Sequence, residues 1–212
     1  MRKNITDPEI VEYLFKMTPE RDPILKEMEA LAKERNFPIV GPLVGRVLYQ
    51  LAMLSRAKKI FEMGSGFGYS AYWLAKGMKD GGRIVCVEGD KENVRLGKNF
   101  FKKGKMEERV HFKQGDALEE IEKEKGLFDI VFNDVDKVQY PDVFRRALPK
   151  LRKGGLLISD NLLWDGEVLS ENPDEATSRI LEFTRLIYGS KELFTTVLPI
   201  RDGISVSIKV QK

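Results

Sequence analysis

Short apolar runs alternate with longer stretches of helical periodicity along most of this sequence. Five apolar runs have the length and composition of buried strands, at residues 60–63, 84–88, 110–113, 128–133 and 156–159. Apolar residues recur at helical spacing in the segments between them, at residues 69–78, 91–101, 117–123 and 138–151. This alternation of strand and helix predicts a mostly parallel sheet with helices on both faces.

The C-terminal part departs from this alternation. A helix is predicted at residues 175–188, and two strands at 193–198 and 204–210 follow it with no helix between them. The residues that join these strands, Pro199 to Gly203, are typical of a hairpin turn. We therefore expect an antiparallel pair to close a doubly wound α/β sheet, which a plain dinucleotide-binding fold does not have.

Helical periodicity also precedes the first strand. Asp22 followed by Pro23 is typical of a helix start, and an apolar stripe at residues 43–54 predicts a further helix. No internal repeat or Gly/Ser-rich linker interrupts the chain. The simplest organisation is one domain over residues 1–212, with residues 1–37 as an N-terminal helical extension.

Composition and charge narrow the class of protein. The 212 residues are 42% hydrophobic and 33% charged, which fits a folded domain with a charged surface. The net charge of +3 disfavours a nucleic-acid binder, and the basic cluster Lys98, Lys102, Lys103 and Lys105 is more typical of a solvated helix end. The single cysteine, Cys86, excludes an internal disulfide framework, and no apolar stretch reaches the length of a signal peptide or a membrane span. We expect a cytoplasmic protein that does not enter the membrane.

A glycine-rich turn follows the first predicted strand, with Gly64, Gly66 and Gly68 in the segment 62–70. Glu88 ends the second strand, where an acidic side chain accepts hydrogen bonds from ribose hydroxyls in doubly wound folds. Together the turn and Glu88 predict a cofactor that contains a nucleoside. Glu62, just before the glycines, would repel a pyrophosphate but would accept from an ammonium group, which favours S-adenosylmethionine over NAD.

Asp116 and Ala117 open the helix after the third strand. The aspartate is a good N-cap, and that role alone would explain it. It also stands at the carboxyl edge of the sheet, where the adenine of the cofactor would lie. Both interpretations stay open, because a capping residue can also line a pocket.

Hard oxygen ligands follow two neighbouring strands of the predicted sheet. Asp134 comes after the fourth strand, and Asp160 and Asn161 come after the fifth. The carboxyl ends of parallel strands meet at one edge, so these side chains are expected to converge there. Capping and turn formation would explain one of them, whereas all three form a ligand set that suits Mg²⁺. One cysteine and one histidine offer no competing site for a softer metal.

Three segments resemble the cation-dependent O-methyltransferases, the family of the catechol and caffeoyl-CoA enzymes. They are residues 60–70, residues 132–137 with Tyr140, and residues 154–161 with Trp164. The resemblance extends from about Pro38 over nearly the whole remaining chain. It implies a doubly wound, mostly parallel, seven-stranded methyltransferase (Rossmann-like) sheet whose C-terminal strand is antiparallel. It also implies a dimer, since relatives are commonly dimeric.

The resemblance assigns roles to individual residues. Asp134, Asp160 and Asn161 are implied to bind the metal, and Lys137 is implied to be catalytic, either as a base or as a group that orients the acceptor oxygen. The residues implied to hold S-adenosylmethionine are Val40 and Asp134 at its methionine end, with Glu62, Gly64, Gly66, Ser70, Glu88, Asp116 and Ala117. The sequence departs from the family pattern at Asn133, which is usually apolar, and in residues 40–44, which lack an acidic residue.

Two aromatic residues are expected to form the acceptor pocket. Trp164 lies in a predicted loop close to Asp160 and Asn161, where a large aromatic side chain is less easily explained as core. Tyr140 stands one helical turn beyond Lys137 and is expected to face the same pocket.

These features favour an S-adenosylmethionine- and Mg²⁺-dependent O-methyltransferase that acts on a small catechol-like hydroxyl. A related enzyme function is methylation of a hydroxylated wobble uridine in tRNA, which the near-neutral charge disfavours. A binding protein that retains the fold without turnover is a third possibility, opposed by the complete ligand set and Lys137. A nicotinamide dehydrogenase is disfavoured by Glu62 and by the altered glycine spacing.

Overall fold

The predicted strands all form, and they pair into one sheet. In a computed structural model that describes residues 5–211, the strands are β1 Lys59–Met63, β2 Arg83–Glu88, β3 Val110–Gln114, β4 Phe128–Asn133, β5 Leu151–Ser159, β6 Leu193–Leu198 and β7 Ile204–Lys209. Their order across the sheet is β3-β2-β1-β4-β5-β7-β6. The pairs among β1 to β5 are parallel, whereas β7 is antiparallel to both β5 and β6. The doubly wound fold and its antiparallel C-terminal strand are therefore confirmed.

Eight α-helices surround the sheet in the described part of the chain. They are α1 Pro8–Met17, α2 Pro23–Glu34, α3 Gly41–Leu54, α4 Tyr69–Gly77, α5 Lys91–Lys103, α6 Ala117–Lys123, α7 Tyr140–Ala147 and α8 Glu175–Gly189. Asp22 caps α2 as expected, because its carboxylate accepts from the Leu25 N–H at 3.0 Å. Residues 1–4 of the predicted extension lie outside the described residues. No helix within 5–211 is long and apolar enough to cross a membrane.

The predicted helix at 138–151 was too long. A 3₁₀ turn, Lys137–Gln139, precedes α7, and a second one, Leu148–Lys150, follows it. Pro149 explains the early end, because it lacks an N–H and so cannot donate the next hydrogen bond of the helix. Strand β5 therefore starts at Leu151, five residues earlier than expected.

Alternate side chains of each central strand pack on opposite faces. Ile60 of β1 lies in a buried cluster with α2, α3, α4 and α5, whereas its neighbour Phe61 lies in a cluster with α6, α7 and α8. Because both faces are buried, the strand ends are the accessible part of the sheet. The chain adds β2 and β3 on one side of β1 and then β4 and β5 on the other, so the direction in which strands are added reverses between β1 and β4. In open α/β sheets, ligands bind at the carboxyl edge beside such a reversal.

Candidate active site

A cavity of about 590 Å³ opens at this edge, within the size range of small-molecule sites. Most of the residues implied to bind cofactor, metal or acceptor line it. They are Val40, Gly64, Gly66, Ser70, Glu88, Asp116, Ala117, Asp134, Lys137, Asn161 and Trp164. Glu62, Asp160 and Tyr140 do not line it, because each is completely buried.

The glycine turn is shaped by close contacts as well as by the cavity. Gly64 has a φ of +79°, and a Cβ there would lie 2.6 Å from the backbone oxygen of Asp134. A side chain at Gly64 would therefore push apart the ends of β1 and β4. Gly66 has a φ of +50°, and its N–H donates to Glu88 Oε2 at 2.8 Å. The turn thus presents bare backbone to the cavity while Glu88 holds it in place.

Asp116 caps a helix and also reaches the cavity, so its predicted place beside the adenine stays a prediction. Its carboxylate caps α6, accepting from Leu118 N at 2.7 Å and Glu119 N at 3.1 Å, and the residue also lines the cavity. Val40 also lines the cavity, precedes α3 and makes no side-chain capping bond. Its side chain is buried.

Glu62 lies behind the cavity wall, and the expected contact of its carboxylate with an ammonium group stays a prediction. Its Oε1 accepts from Ser70 Oγ, and its Oε2 accepts from Cys86 Sγ at 3.5 Å. Burial raises the pKa of Glu62 to about 8, although these two hydrogen bonds oppose the rise. A neutral, enclosed Glu62 therefore positions Ser70, which itself reaches the cavity.

The two aspartates at the strand ends are brought side by side by the backbone. The N–H of Asp134 donates to Met63 O at 2.9 Å, and the N–H of Asp160 donates to Asn133 O at 3.1 Å. Since Asn133 pairs with Ser159 in the register of β4 and β5, the residues that follow them emerge as neighbours. Tertiary pairing thus joins groups that are 26 residues apart in the sequence.

The electrostatics of this pair favour a nearby cation. Burial and, after it, the neighbouring Asp134 charge raise the pKa of Asp160 to about 7, although the Arg201 charge opposes the rise. Burial also raises the pKa of Asp134, whose side chain is still 28% exposed towards the cavity. Asp160 Oδ1 is buried and has no hydrogen-bond partner among residues 5–211. An unpaired carboxylate oxygen beside a second carboxylate is costly unless a cation lies between them.

Two side-chain cations contact these carboxylates. Lys137 Nζ donates to Asp134 Oδ1 at 2.9 Å and to Val135 O at 3.3 Å. Arg201 Nη1 donates to Asp160 Oδ2 at 3.0 Å. Sequence reasoning missed Arg201, which it treated only as part of a hairpin turn. The available signal was topology, because a hairpin strand antiparallel to β5 must begin at the carboxyl edge of the sheet.

Asn161 is held by a second residue of the same turn. It has a φ of +59°, and its Nδ2 donates to Asp202 Oδ2 at 3.0 Å. This bond orients the amide so that its oxygen is the atom left to ligate a cation. The other carboxylate oxygen of Asp202 accepts from the Asp165 N–H and so holds the loop that carries Trp164.

The residues fit a divalent cation with oxygen ligands, although no cluster of three or more His, Cys, Asp or Glu side chains occurs in the described range. The predicted set has two carboxylates and one amide, together with an unpaired Asp160 oxygen. Mg²⁺ commonly uses one or two carboxylates and keeps its other positions for water or substrate oxygens.

The two aromatic residues have different roles. Trp164 lines the cavity, and its ring centroid lies 5.8 Å from Lys137 Nζ. Tyr140 does not line it, although its ring centroid lies 5.2 Å from Lys137 Nζ, so its place in the acceptor pocket stays a prediction. Its ring packs against Phe183, and its hydroxyl donates to Asp160 O at 2.8 Å. The turn that begins α7 directs the Tyr140 side chain into the core, towards α8.

The departure at Asn133 has a structural role. Its side chain is completely buried, donating from Nδ2 to Ser159 Oγ at 3.3 Å and accepting from Val135 N at 3.4 Å. The bond to Ser159 links the ends of β4 and β5 next to the carboxylates, and the bond from Val135 fixes the backbone that follows β4. A buried amide therefore takes the place of apolar packing at this point.

The chain is similar to proteins of known family. The family described as O-methyltransferase matches residues 5–210. Catechol O-methyltransferase of Niastella koreensis is 31% identical over 201 residues, 89% of this chain and 90% of that protein. Caffeoyl-CoA O-methyltransferase 2 of Populus trichocarpa is 28% identical over 221 residues, 95% of this chain and 89% of that protein. The crystal structure of the O-methyltransferase from Bacillus cereus in complex with SAH has a TM-score of 0.87 at 30% identity, covering 95% of this chain and 97% of that one.

Proposed function

The chain belongs to the O-methyltransferase family, and we propose that it transfers a methyl group from S-adenosylmethionine to a hydroxyl group held by a divalent cation, Mg²⁺, on a small catechol-like acceptor. The observation that supports this most directly is the arrangement at the ends of β4 and β5. Asp134 and Asp160 lie side by side with Asn161, and Lys137 contacts Asp134. Gly66 and Glu88 line the same cavity and form the part that suits a nucleoside.

The donor would lie along the cavity from Glu88 towards Asp134. Glu88 accepts hydrogen bonds from the ribose hydroxyls, and the bare backbone at Gly64 and Gly66 lets the donor approach closely. Asp134 reaches the cavity and accepts from the amino group. The Bacillus cereus neighbour was solved with SAH, which supports the same kind of ligand here.

The reaction needs an oxygen nucleophile in line with the methyl group, so positioning supplies much of the catalysis. A bond forms between the acceptor oxygen and the methyl carbon as the bond from carbon to sulfur breaks, leaving S-adenosylhomocysteine and a methyl ether. When bound at Asp134, Asp160 and Asn161, the divalent cation would lower the pKa of the acceptor hydroxyl and fix its oxygen. Lys137 Nζ, at the cavity wall, either gives up its own proton to solvent and then accepts the hydroxyl proton, or stays an ammonium group that holds the oxygen in line. Trp164 covers the ring of the acceptor.

The test is a methyl-transfer assay with labelled S-adenosylmethionine, comparing catechol with bulk tRNA that lacks the wobble modification. We expect transfer to catechol that excess chelator abolishes and added Mg²⁺ restores. Asp160→Asn should resist this rescue, because it removes one carboxylate, while an exposed variant such as Asp80→Asn should behave as wild type. Full activity in excess chelator would contradict the metal requirement, and transfer to tRNA alone would contradict the acceptor class.

Two further expectations stay predictions. The homodimer would be tested by light scattering of the purified chain. Exposed apolar side chains on α1, among them Ile10, Tyr13 and Met17, would be available for such a contact.

Contact with tRNA would be tested by binding at several salt concentrations, because phosphate contacts weaken as salt rises.

A further inference from the structure

Arg201 is a cation at the acceptor end of the cavity that the proposed reaction does not use. It lies in the turn between β6 and β7, lines the cavity, and has 38% of its side chain exposed. The φ of Arg201 is +54°, in the left-handed region that glycine adopts most easily. The turn therefore holds a long side chain at a position where glycine would be less strained. Among residues 5–211, its one hydrogen bond runs to Asp160 Oδ2, leaving the other N–H groups of the guanidinium for a ligand.

The ion pair between Arg201 and Asp160 competes with the proposed cation. A divalent cation on the Asp160 carboxylate would repel the guanidinium and neutralise the charge that Arg201 now contacts. Asp202 follows Arg201 in the turn, but its oxygens accept from Asn161 Nδ2 and Asp165 N instead. A metal-loaded site would therefore leave Arg201 beside the cavity without an anionic partner.

We propose that Arg201 binds a carboxylate on the acceptor, so the acceptor class is an aromatic vicinal diol that carries a carboxylate on its ring or on a short side chain. This inference rests on the proposed function and narrows its substrate. A guanidinium presents paired N–H donors that match both oxygens of a carboxylate. Trp164 lines the same cavity and supplies a flat surface for the aromatic ring. The cavity of about 590 Å³ suits a small acid better than a folded polyanion.

The test measures binding, which does not depend on turnover. Calorimetry would compare 3,4-dihydroxybenzoate with catechol, each added to protein loaded with Mg²⁺ and S-adenosylhomocysteine. We expect wild type to bind the carboxylate compound about 10- to 100-fold more tightly, the range for a charged hydrogen bond. Arg201→Leu should lose this preference, and Arg201→Lys should keep part of it. Arg185→Leu, which removes an exposed arginine of α8 far from the cavity, should keep all of it.

Mn²⁺ affinity, measured by electron paramagnetic resonance, would check the metal site of each variant. Arg201→Leu should bind Mn²⁺ as tightly as wild type or more tightly, because a competing cation is gone. An equal preference for the carboxylate compound in wild type and Arg201→Leu would overturn the inference, as would no preference in wild type. Failure of methyl transfer to both diols would count against the proposed function, while the binding ratios would still decide the role of Arg201. If Arg201→Leu does not fold, Arg201→Gln gives the same comparison with a neutral polar side chain.

Discussion

Glu88 Oε2 accepts a hydrogen bond from the Gly66 N–H over 2.8 Å, which ties the end of β2 to the turn after β1. The other oxygen, Oε1, accepts from the Asp90 N–H at 2.9 Å. A carboxylate keeps further lone pairs after two such bonds, so Glu88 can still accept from a ligand in the cavity. The same side chain therefore shapes the turn and faces the ligand, and a substitution there affects both.

Glu88→Ala is expected to weaken binding of S-adenosylmethionine by about 2–3 kcal/mol, because charged hydrogen bonds to the ribose are lost. Calorimetry with the folded variant measures this directly. Glu92→Ala, an exposed change on α5 outside the cavity, serves as the control and should bind normally. Unchanged affinity in Glu88→Ala would falsify the ribose assignment, and tighter binding of NAD than of S-adenosylmethionine would reject the cofactor.

Glu62 should make the stability of the fold depend on pH. Burial raises its pKa from 4.5 to about 8, so the folded protein keeps a proton that the unfolded chain releases between these values. The stability that this proton contributes is complete below pH 4.5 and is lost as the pH rises through about 8, with a slope of at most about 1.4 kcal/mol per pH unit. Glu62→Gln stays neutral throughout. Its stability relative to wild type should therefore increase from pH 5 to pH 9 in denaturant titrations, and a constant difference would reject the raised pKa.

Lys137→Ala should lower kcat by about 10²–10⁴, the usual scale for removal of a general base. Affinity for S-adenosylmethionine should change little, and the metal should bind as tightly as in wild type or more tightly, because the amine no longer competes for the Asp134 carboxylate. If Lys137 accepts the proton, higher pH should partly restore the variant, because the acceptor hydroxyl then ionises unaided. A variant that is slow at every pH, together with partial rescue by Lys137→Arg, would instead make the lysine a positioning group.

Trp164→Ala should raise the acceptor KM by about threefold to tenfold, the range for a lost aromatic contact, while the affinity for S-adenosylmethionine is kept. Tyr140→Phe is the comparison, because it removes a buried hydroxyl that donates to Asp160 O and lies outside the cavity. That change should lower the melting temperature and leave the acceptor KM nearly unchanged. Equal losses of acceptor and cofactor affinity in Trp164→Ala, with a lower melting temperature, would assign the tryptophan to loop packing.

The order of apolar runs and helical stretches was enough to predict the sheet, its hairpin and the edge at which the site lies. This works because strand and helix periodicities are local, and because parallel strands that alternate with helices must align their carboxyl ends. Asp134 and Asp160 could be paired from the sequence for the same reason, since each directly follows a buried strand. The cap at Asp22 was equally local, as it depends on a residue three positions away.

Tertiary packing decided which of these side chains reach the cavity. Glu62 and Ser70 are close in sequence, yet only Ser70 lines the cavity, because the pleat of β1 turns Glu62 into the core beside Cys86. Tyr140 is likewise directed inward, onto Phe183 of a helix that follows much later in the chain. Arg201 reaches Asp160 from a hairpin 41 residues away. Burial and charge pairing depend on elements distant in sequence, so periodicity and spacing do not determine them.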